Sequence, residues 1–331
     1  MPSLAEIAKL AGVSPAVVSR VVNKDATLRI SKETLERVES VVRETGYTPN
    51  RAAKSLRSTE TGLIALVVHD VTNPIYAEIT KGAQAAATKA GKAILLVDAS
   101  GGSESTSRLL ELIGGHGVDG LILQADQSVS DQVLARAANE NVRTVLLQAK
   151  LDAQLKVVSL PDEIAARTGV RHLMDQGHSK IGCIATVKGL SFTEDRVTGW
   201  KNCLTENGLK WNEDWLRYAE PDIAGGQEAM ASLLSSCPEI TAVLCCNVLS
   251  AIGAMAVALS RKIEIPSKCA IVAIHDIPFA EYATVPLTTV SMPLFQLGKM
   301  SVETLLDKNT GQTPACIVVP DSPQLIRRNS S

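Results

Sequence analysis

The side chains best placed to do chemistry in this chain are cations on short helical runs. Arg20 lies within the run from Ser14 to Val22, on the side away from Val17 and Val21. An exposed arginine on such a helix fits the edge of a guanine bidentately, the commonest base-specific contact in the major groove. A second run, from Asn50 to Arg57, carries Arg51, Lys54 and Arg57 around one large apolar residue, Leu56. A lone leucine among phosphate-seeking cations suits a wedge between base steps in the minor groove. Enzymatic chemistry finds no comparable support. There is no GxxxxGK[ST], GxSxG or HExxH, and His69, His116, His172, His178 and His275 show no metal-ligand spacing. The residues therefore call for no cofactor, no metal and no catalytic role.

Charge is divided to match. Residues 1–60 hold ten Lys/Arg against seven Asp/Glu, net +3, while the remaining 271 hold 23 against 28, net −5. A small basic head on a larger acidic body reads as a polyanion-binding module attached to something else. The 331 residues allow two domains or slightly more. No apolar stretch reaches the ~18 residues of a membrane span, and the start Met1-Pro2-Ser3-Leu4-Ala5-Glu6 has neither a basic nor a long apolar region. Seven cysteines without CxxC spacing read as reduced thiols. A cytoplasmic protein that does not engage membranes is the expectation.

The elements that must position Arg20 can be read from caps and periodicity. Ser3 and Glu6 form a capping box ahead of the apolar stripe Leu4, Ile7, Ala8 and Ala11, and Gly12 stops that helix. Ser14 caps a second helix with Pro15 at its first position, where a missing N–H costs nothing; Val17, Val18 and Val21 face inward. Two short helices joined by a glycine turn are a helix-turn-helix signature. A third helix is expected from Ser31 to Thr45, with Leu35, Val38, Val41 and Val42 inward and Gly46 as its stop. The Asn50–Arg57 helix has too little apolar surface to stand alone.

Beyond residue 60, apolar β-rich runs alternate with helical stretches. They are 63–68, 93–97, 120–123, 142–147, 181–185, 242–246 and 270–274, the pattern of parallel sheets with crossover helices. Two doubly wound units fit the length. Ligands of such sheets sit beyond the C-terminal strand ends.

These residues carry a resemblance. The head, LAEIAKLAGVSPAVVSRVVNKDATLRISKETLERVESVVRETGYTPNRAAKSLRS, resembles the DNA-binding head of the lactose-repressor/galactose-repressor (LacI/GalR) family. GVDGLIL, HLMDQGHSKIGCI, DRVTGW, TAVLCCNVLSAIGAM, VPLTTVSMPLFQLGKMSVETLL and PQLIRRNSS follow in family order over about 325 residues. The resemblance implies an all-α helix-turn-helix head plus an α/β two-lobed body of the periplasmic-binding-protein type I, joined by three crossovers. The implied domains are residues 1–48 for the head, 49–61 for a hinge helix and linker, and 62–331 for effector binding and dimerisation. Within the body, lobe 1 is expected at about 62–160 and 291–320, lobe 2 at about 161–290 and 321–331.

Residue by residue, the resemblance places Pro15 and Ala16 at the variable base-reading positions, where neither side chain donates a hydrogen bond. Discrimination should then lean on Arg20 and on methyl contacts to thymine. Ser14, Ser19, Asn23, Ser31, Tyr47 and Asn50 are candidate phosphate contacts, which position but do not specify. Arg51 shares the hinge helix, and Ala53 and Leu56 match the family's minor-groove pair. The effector positions are Asp70, Asn73, Tyr76, Gln124 and Gln148 in the first lobe, and Phe192, Arg196, Pro221, Asn247 and His275 in the second. The chain departs from the family where Val248 follows Asn247, where Pro221 replaces an aromatic, and where His275-Asp276 stands for Asp-Asp. Arg196 with His275 suggests an anionic ligand and, through His275, pH-dependent binding.

The expected function is a sequence-specific transcriptional regulator, a repressor of carbohydrate genes controlled by a sugar or acidic sugar. Its partners would be pseudo-palindromic operator DNA and a second copy of itself. A homodimer rather than a tetramer is expected, since no heptad helix follows residue 320. A purine- or nucleoside-responsive co-repressor is the alternative.

Overall fold

The structure is a computed structural model that describes residues 2–23, 25, 27–47, 60–100, 102–124, 131–149, 155–307 and 315–331. It divides into two units, Met1–Thr61 and Gly62–Ser331. The expected hinge residues Asn50, Arg51, Ala53, Lys54, Leu56 and Arg57 lie outside the described residues.

The first unit holds α1 (Leu4–Ala11), α2 (Pro15–Val22) and α3 (Lys32–Thr45). The capping box is formed: Ser3 N–H donates to Glu6 Oε2 at 2.6 Å, and Glu6 N–H donates to Ser3 Oγ at 3.3 Å. That bonding holds the Glu6 carboxyl below its usual range. Gly12 and Gly46 end α1 and α3 at φ of 64° and 62°, the left-handed conformation that glycine adopts without a Cβ clash. Ile7, Ala8, Ala11, Val18, Val21 and Val38 form the core. Arg37 ties α3 to α1 by donating Nε–H to the Ala11 carbonyl at 3.0 Å. Leu35 corrects the expected inward stripe: it sits one turn before Val38, beyond the packed seam, and is exposed.

The second unit is two sheets of one topology. In chain order its elements are β1 (Leu63–Val68), α4 (Ile75–Lys89), β2 (Ala93–Asp98), α5 (Gly102–Gly114), β3 (Gly120–Gln124), α6 (Asp131–Asn139), β4 (Arg143–Leu147), β5 (Lys156–Ser159), α7 (Asp162–Asp175), β6 (Ile181–Ala185), α8 (Ser191–Glu206), β7 (Leu216–Tyr218), α9 (Ile223–Ser236), β8 (Ala242–Cys245), α10 (Val248–Ser260), β9 (Ala270–Ile274), β10 (Thr288–Ser291), α11 (Leu294–Leu306), β11 (Ala315–Val318) and β12 (Gln324–Ile326). The sheet orders are β11-β5-β4-β3-β1-β2 and β12-β10-β9-β8-β6-β7. Among the described residues all pairings are parallel except β10 with β12. Strands such as β6 and β9 are buried along their whole length, as helix-covered parallel strands must be.

The chain changes sheet three times: between β5 and α7, between β10 and α11, and between β11 and β12. The first two use the same turn. Pro161 (φ −78°, ψ 65°) and Pro293 (φ −76°, ψ 58°) sit at the centre of inverse γ-turns. Asp162 N–H donates to the Leu160 carbonyl at 2.9 Å, and Leu294 N–H to the Met292 carbonyl at 2.8 Å.

Candidate ligand cavity and nucleic-acid interface

Within the second unit, the C-terminal strand ends of both sheets open onto one cavity of about 210 Å³. Asp70, Asn73, Tyr76, Gln124 and Gln148 line it from the first sheet's side; Phe192, Arg196, Pro221, Asn247 and His275 line it from the second. The structure thus brings all ten expected positions to one wall system. Sequence reasoning missed Asp162, which holds the central arginine, and the lining residues Glu220, Asp222, Thr186 and Leu294. The available signal for Asp162 was an acid directly after Pro161, at a helix start beyond a strand end.

Arg196 is the hub. Its Nε–H donates to Asp162 Oδ1 at 2.7 Å and an Nη1–H donates to the Cys246 carbonyl at 2.6 Å. Nη2 lies 3.3 Å from His275 Nε2, and the Phe192 ring stacks 5.1 Å from the guanidinium carbon. Asp162 also accepts from Gln148 Nε2 at 3.1 Å, and Gln148 Oε1 accepts the Leu160 N–H at 2.7 Å. Burial pushes the Asp162 carboxyl above its usual range despite the opposing pull of Arg196. Its contact with a guanidinium that does not give up its proton still makes it the arginine's counter-charge.

A guanidinium has no acceptor, so His275 Nε2 accepts and the ring proton resides on Nδ1. Burial first, then the Arg196 charge, push His275 well below its usual value. The ring is neutral at physiological pH. Arg196 is thus ion-paired with Asp162 beside a His275 whose burial disfavours a charge, which weighs against an anion site and against pH-dependent binding. Asp276 turns to Arg328 instead, at 2.8 Å.

Gln148 and His275 occupy matching places, each just past the fourth-numbered strand of its sheet. Both are non-glycine residues at positive φ, 57° and 73°, and their N–H groups donate to Val158 and Val290 at 3.0 and 2.9 Å. Strain of this kind concentrates where side chains must be aimed. Asn247 caps α10, its Oδ1 accepting from Leu249 N–H at 2.8 Å, and Asn73 Oδ1 accepts from Ile75 N–H at 3.3 Å. Asp70 Oδ1 accepts both donors of Thr72, at 2.8 and 2.7 Å.

In the first unit, Ser14 and Ser31 cap α2 and α3, accepting from Val17 and Thr34 N–H at 3.4 and 3.2 Å. Pro15 and Ala16 are exposed at the start of α2, and Ser19 is half-buried beside Asn23, whose Nδ2 donates to the Ser19 carbonyl at 2.7 Å. Tyr47 packs, half-buried, against the head core. Arg20 does not point freely outward. It is held by Asp25 and Thr27, each at 2.8 Å. Neither partner was singled out from the sequence, although Asp-x-Thr after a helix is an Asx-turn signal.

Comparison with known proteins agrees with this architecture. Residues 3–50 match the family described as bacterial regulatory proteins, lacI family, and residues 61–324 match the periplasmic binding proteins and sugar binding domain of LacI family. The chain is 30% identical to the HTH-type transcriptional regulator GalR of Escherichia coli (strain K12) over 331 residues, covering 100% of this chain and 96% of GalR. The lac repressor dimer bound to operator and the anti-inducer ONPF superposes with a TM-score of 0.82 at 26% identity, over 99% of this chain and 98% of that one. The transcriptional regulator CelR in complex with cellobiose superposes with a TM-score of 0.75 at 28% identity, over 100% of both chains. A head and a body that both match the same family, and a relative similar across the whole length, establish that this chain belongs to the LacI family of bacterial regulatory proteins.

Proposed function

We propose that this DNA-binding transcriptional regulator is a cytoplasmic, homodimeric repressor released or engaged by a small neutral, polyhydroxylated ligand of sugar type held between its two lobes. The observation that carries the ligand class is the compensation of Arg196 by Asp162 at 2.7 Å, beside a neutral His275. The polar lining includes the amides of Asn73, Gln124, Gln148 and Asn247 and the carboxylates of Asp70, Glu220 and Asp222, which accept hydroxyl hydrogens. The volume lies below the ~300–1,000 Å³ of drug-sized sites, which suits a small metabolite. Cellobiose in the CelR structure points the same way. A purine ligand has less support, because the Arg196 guanidinium already occupies one face of Phe192.

On DNA, α2 would lie in the major groove with Arg20 on guanine, and Ser14, Ser19, Asn23, Ser31 and Tyr47 at phosphates. Leu56 and Ala53, from the sequence, would take the minor groove at the dimer centre. Ligand binding would shift operator affinity by a coupling of ~1–3 kcal/mol per site.

The test is operator selection from random DNA, then calorimetric titration with paired neutral sugars and sugar acids. Binding of a neutral member that shifts operator affinity supports the reading; tight binding by the acids alone refutes the ligand class. Leu56→Ala should weaken operator binding far more than non-specific binding. Equal loss of both would remove the wedge.

A further inference from the structure

The hydrogen bonds around Arg20 leave one edge of its guanidinium open. Its Nε–H donates to Asp25 Oδ2 at 2.8 Å, and an Nη2–H donates to Thr27 Oγ1 at 2.8 Å. Thr27 in turn donates its hydroxyl and its backbone N–H to Asp25 Oδ1, at 2.7 and 2.9 Å. Asp25 N–H donates to the Arg20 carbonyl at 3.0 Å, which ties Asp25 back to the end of α2. The Arg20 and Asp25 side chains keep 42% and 33% of their surface, so this clamp stands at the solvent face rather than in the core.

A guanidinium has two bidentate edges, the Nε/Nη2 side and the Nη1/Nη2 end. Asp25 and Thr27 occupy the first. We infer that Asp25 is a specificity-determining positioning residue, which holds Arg20 so that only its Nη1/Nη2 end is offered to paired acceptors such as guanine O6 and N7. The inference rests on the reading of Arg20 as the base-contacting arginine. Thr27 and Arg20 bonds lower the Asp25 carboxyl to about 2, so the clamp is charged at any pH near neutral. With α2 in the major groove, that solvent-facing charge would repel nearby phosphates. Asp25 therefore trades general affinity for selectivity, and its removal should move the two in opposite directions.

The experiment uses the full chain and the operator it selects from random DNA. Asp25→Asn, Asp25→Ala, Arg20→Ala and the Arg20/Asp25 double alanine variant are titrated against that site, against the site with each base pair replaced in turn, and against unrelated DNA across a salt series. The expected result is a fall in discrimination of about tenfold at one guanine-bearing pair in both Asp25 variants. Unrelated DNA should bind more tightly, with the salt slope steeper by about one ion. On the Arg20→Ala background, Asp25→Ala should no longer change discrimination. Undiminished discrimination in both Asp25 variants, alongside its loss in Arg20→Ala, overturns the positioning role alone. No change in Arg20→Ala overturns the reading beneath it. Weaker binding to every DNA, with a lower melting temperature, overturns it in favour of a purely structural Asp25.

Discussion

Arg196 is 1% exposed, and its neighbours explain how a charge survives there. Removing one partner of a buried ion pair typically costs ~3–5 kcal/mol, because the other charge is left uncompensated. Asp162→Asn keeps the shape and removes the charge. It should lower the unfolding free energy by an amount in that range, read from the denaturant midpoint and slope, and it should make the cavity cationic. Calorimetry would then show sugar acids gaining on neutral sugars relative to the unmodified chain; an unchanged preference would mean Asp162 does not set the cavity's charge. His275 makes a second residue-scale prediction. Because burial and Arg196 hold it well below its usual value of 6.5, effector affinity should be flat between pH 6 and 8. A His275-dependent slope in that window would contradict the neutral assignment.

At the scale of elements, the lobes are assembled by helix pairs that meet at glycines. A Cβ on Gly298 in α11 would fall 1.9 Å from the Ile79 carbonyl of α4, and one on Gly82 would fall 1.9 Å from the Phe295 carbonyl. Gly298→Ala must push the two helices apart, so it should destabilise by roughly 1–3 kcal/mol, read as a lower denaturant midpoint at unchanged slope. These elements also mark what the sequence revealed. Caps and strong apolar runs were legible: Ser3, Ser14, Ser31, Gly12 and Gly46 do what their types require, and the seven apolar runs are strands. The short strands were not. β10 begins Thr288-Thr289, both fully buried, and polar residues at buried positions erase the signal that marks a strand. The cavity's positions were legible through the family resemblance, but its charge was not. Whether Arg196 faces a ligand or a carboxylate depends on the fold bringing it to Asp162, 34 residues away in sequence. The same limit hid Asp25, whose meaning lies in the side chain it clamps.

For the whole molecule, large apolar side chains stand exposed on the body, Leu96, Phe279 and Tyr282 among them, and association with a second copy would bury such surface. Tyr282→Asp should shift sedimentation toward monomer and weaken operator binding with it. The acid response follows from the histidines. Burial depresses His172, His178 and His275 below 6.5, so the folded state resists protons that the unfolded chain accepts. The unfolded state binds more protons below that value, so stability is fully present above about pH 6.5 and declines as the pH falls. Each proton taken up on unfolding tilts stability by about 1.4 kcal/mol per pH unit. The carboxyls of Asp25 and Asp98, held low by hydrogen bonds, add stability that is lost only at more acid pH. Two phases are therefore expected when denaturant midpoints are followed downward from pH 8. The first, below 6.5, belongs to the histidines and should shrink in His275→Gln, whereas the second should not. A midpoint that stays level to pH 5 would mean these rings are already protonated in the folded body, and with them the neutral His275 at the cavity would fall.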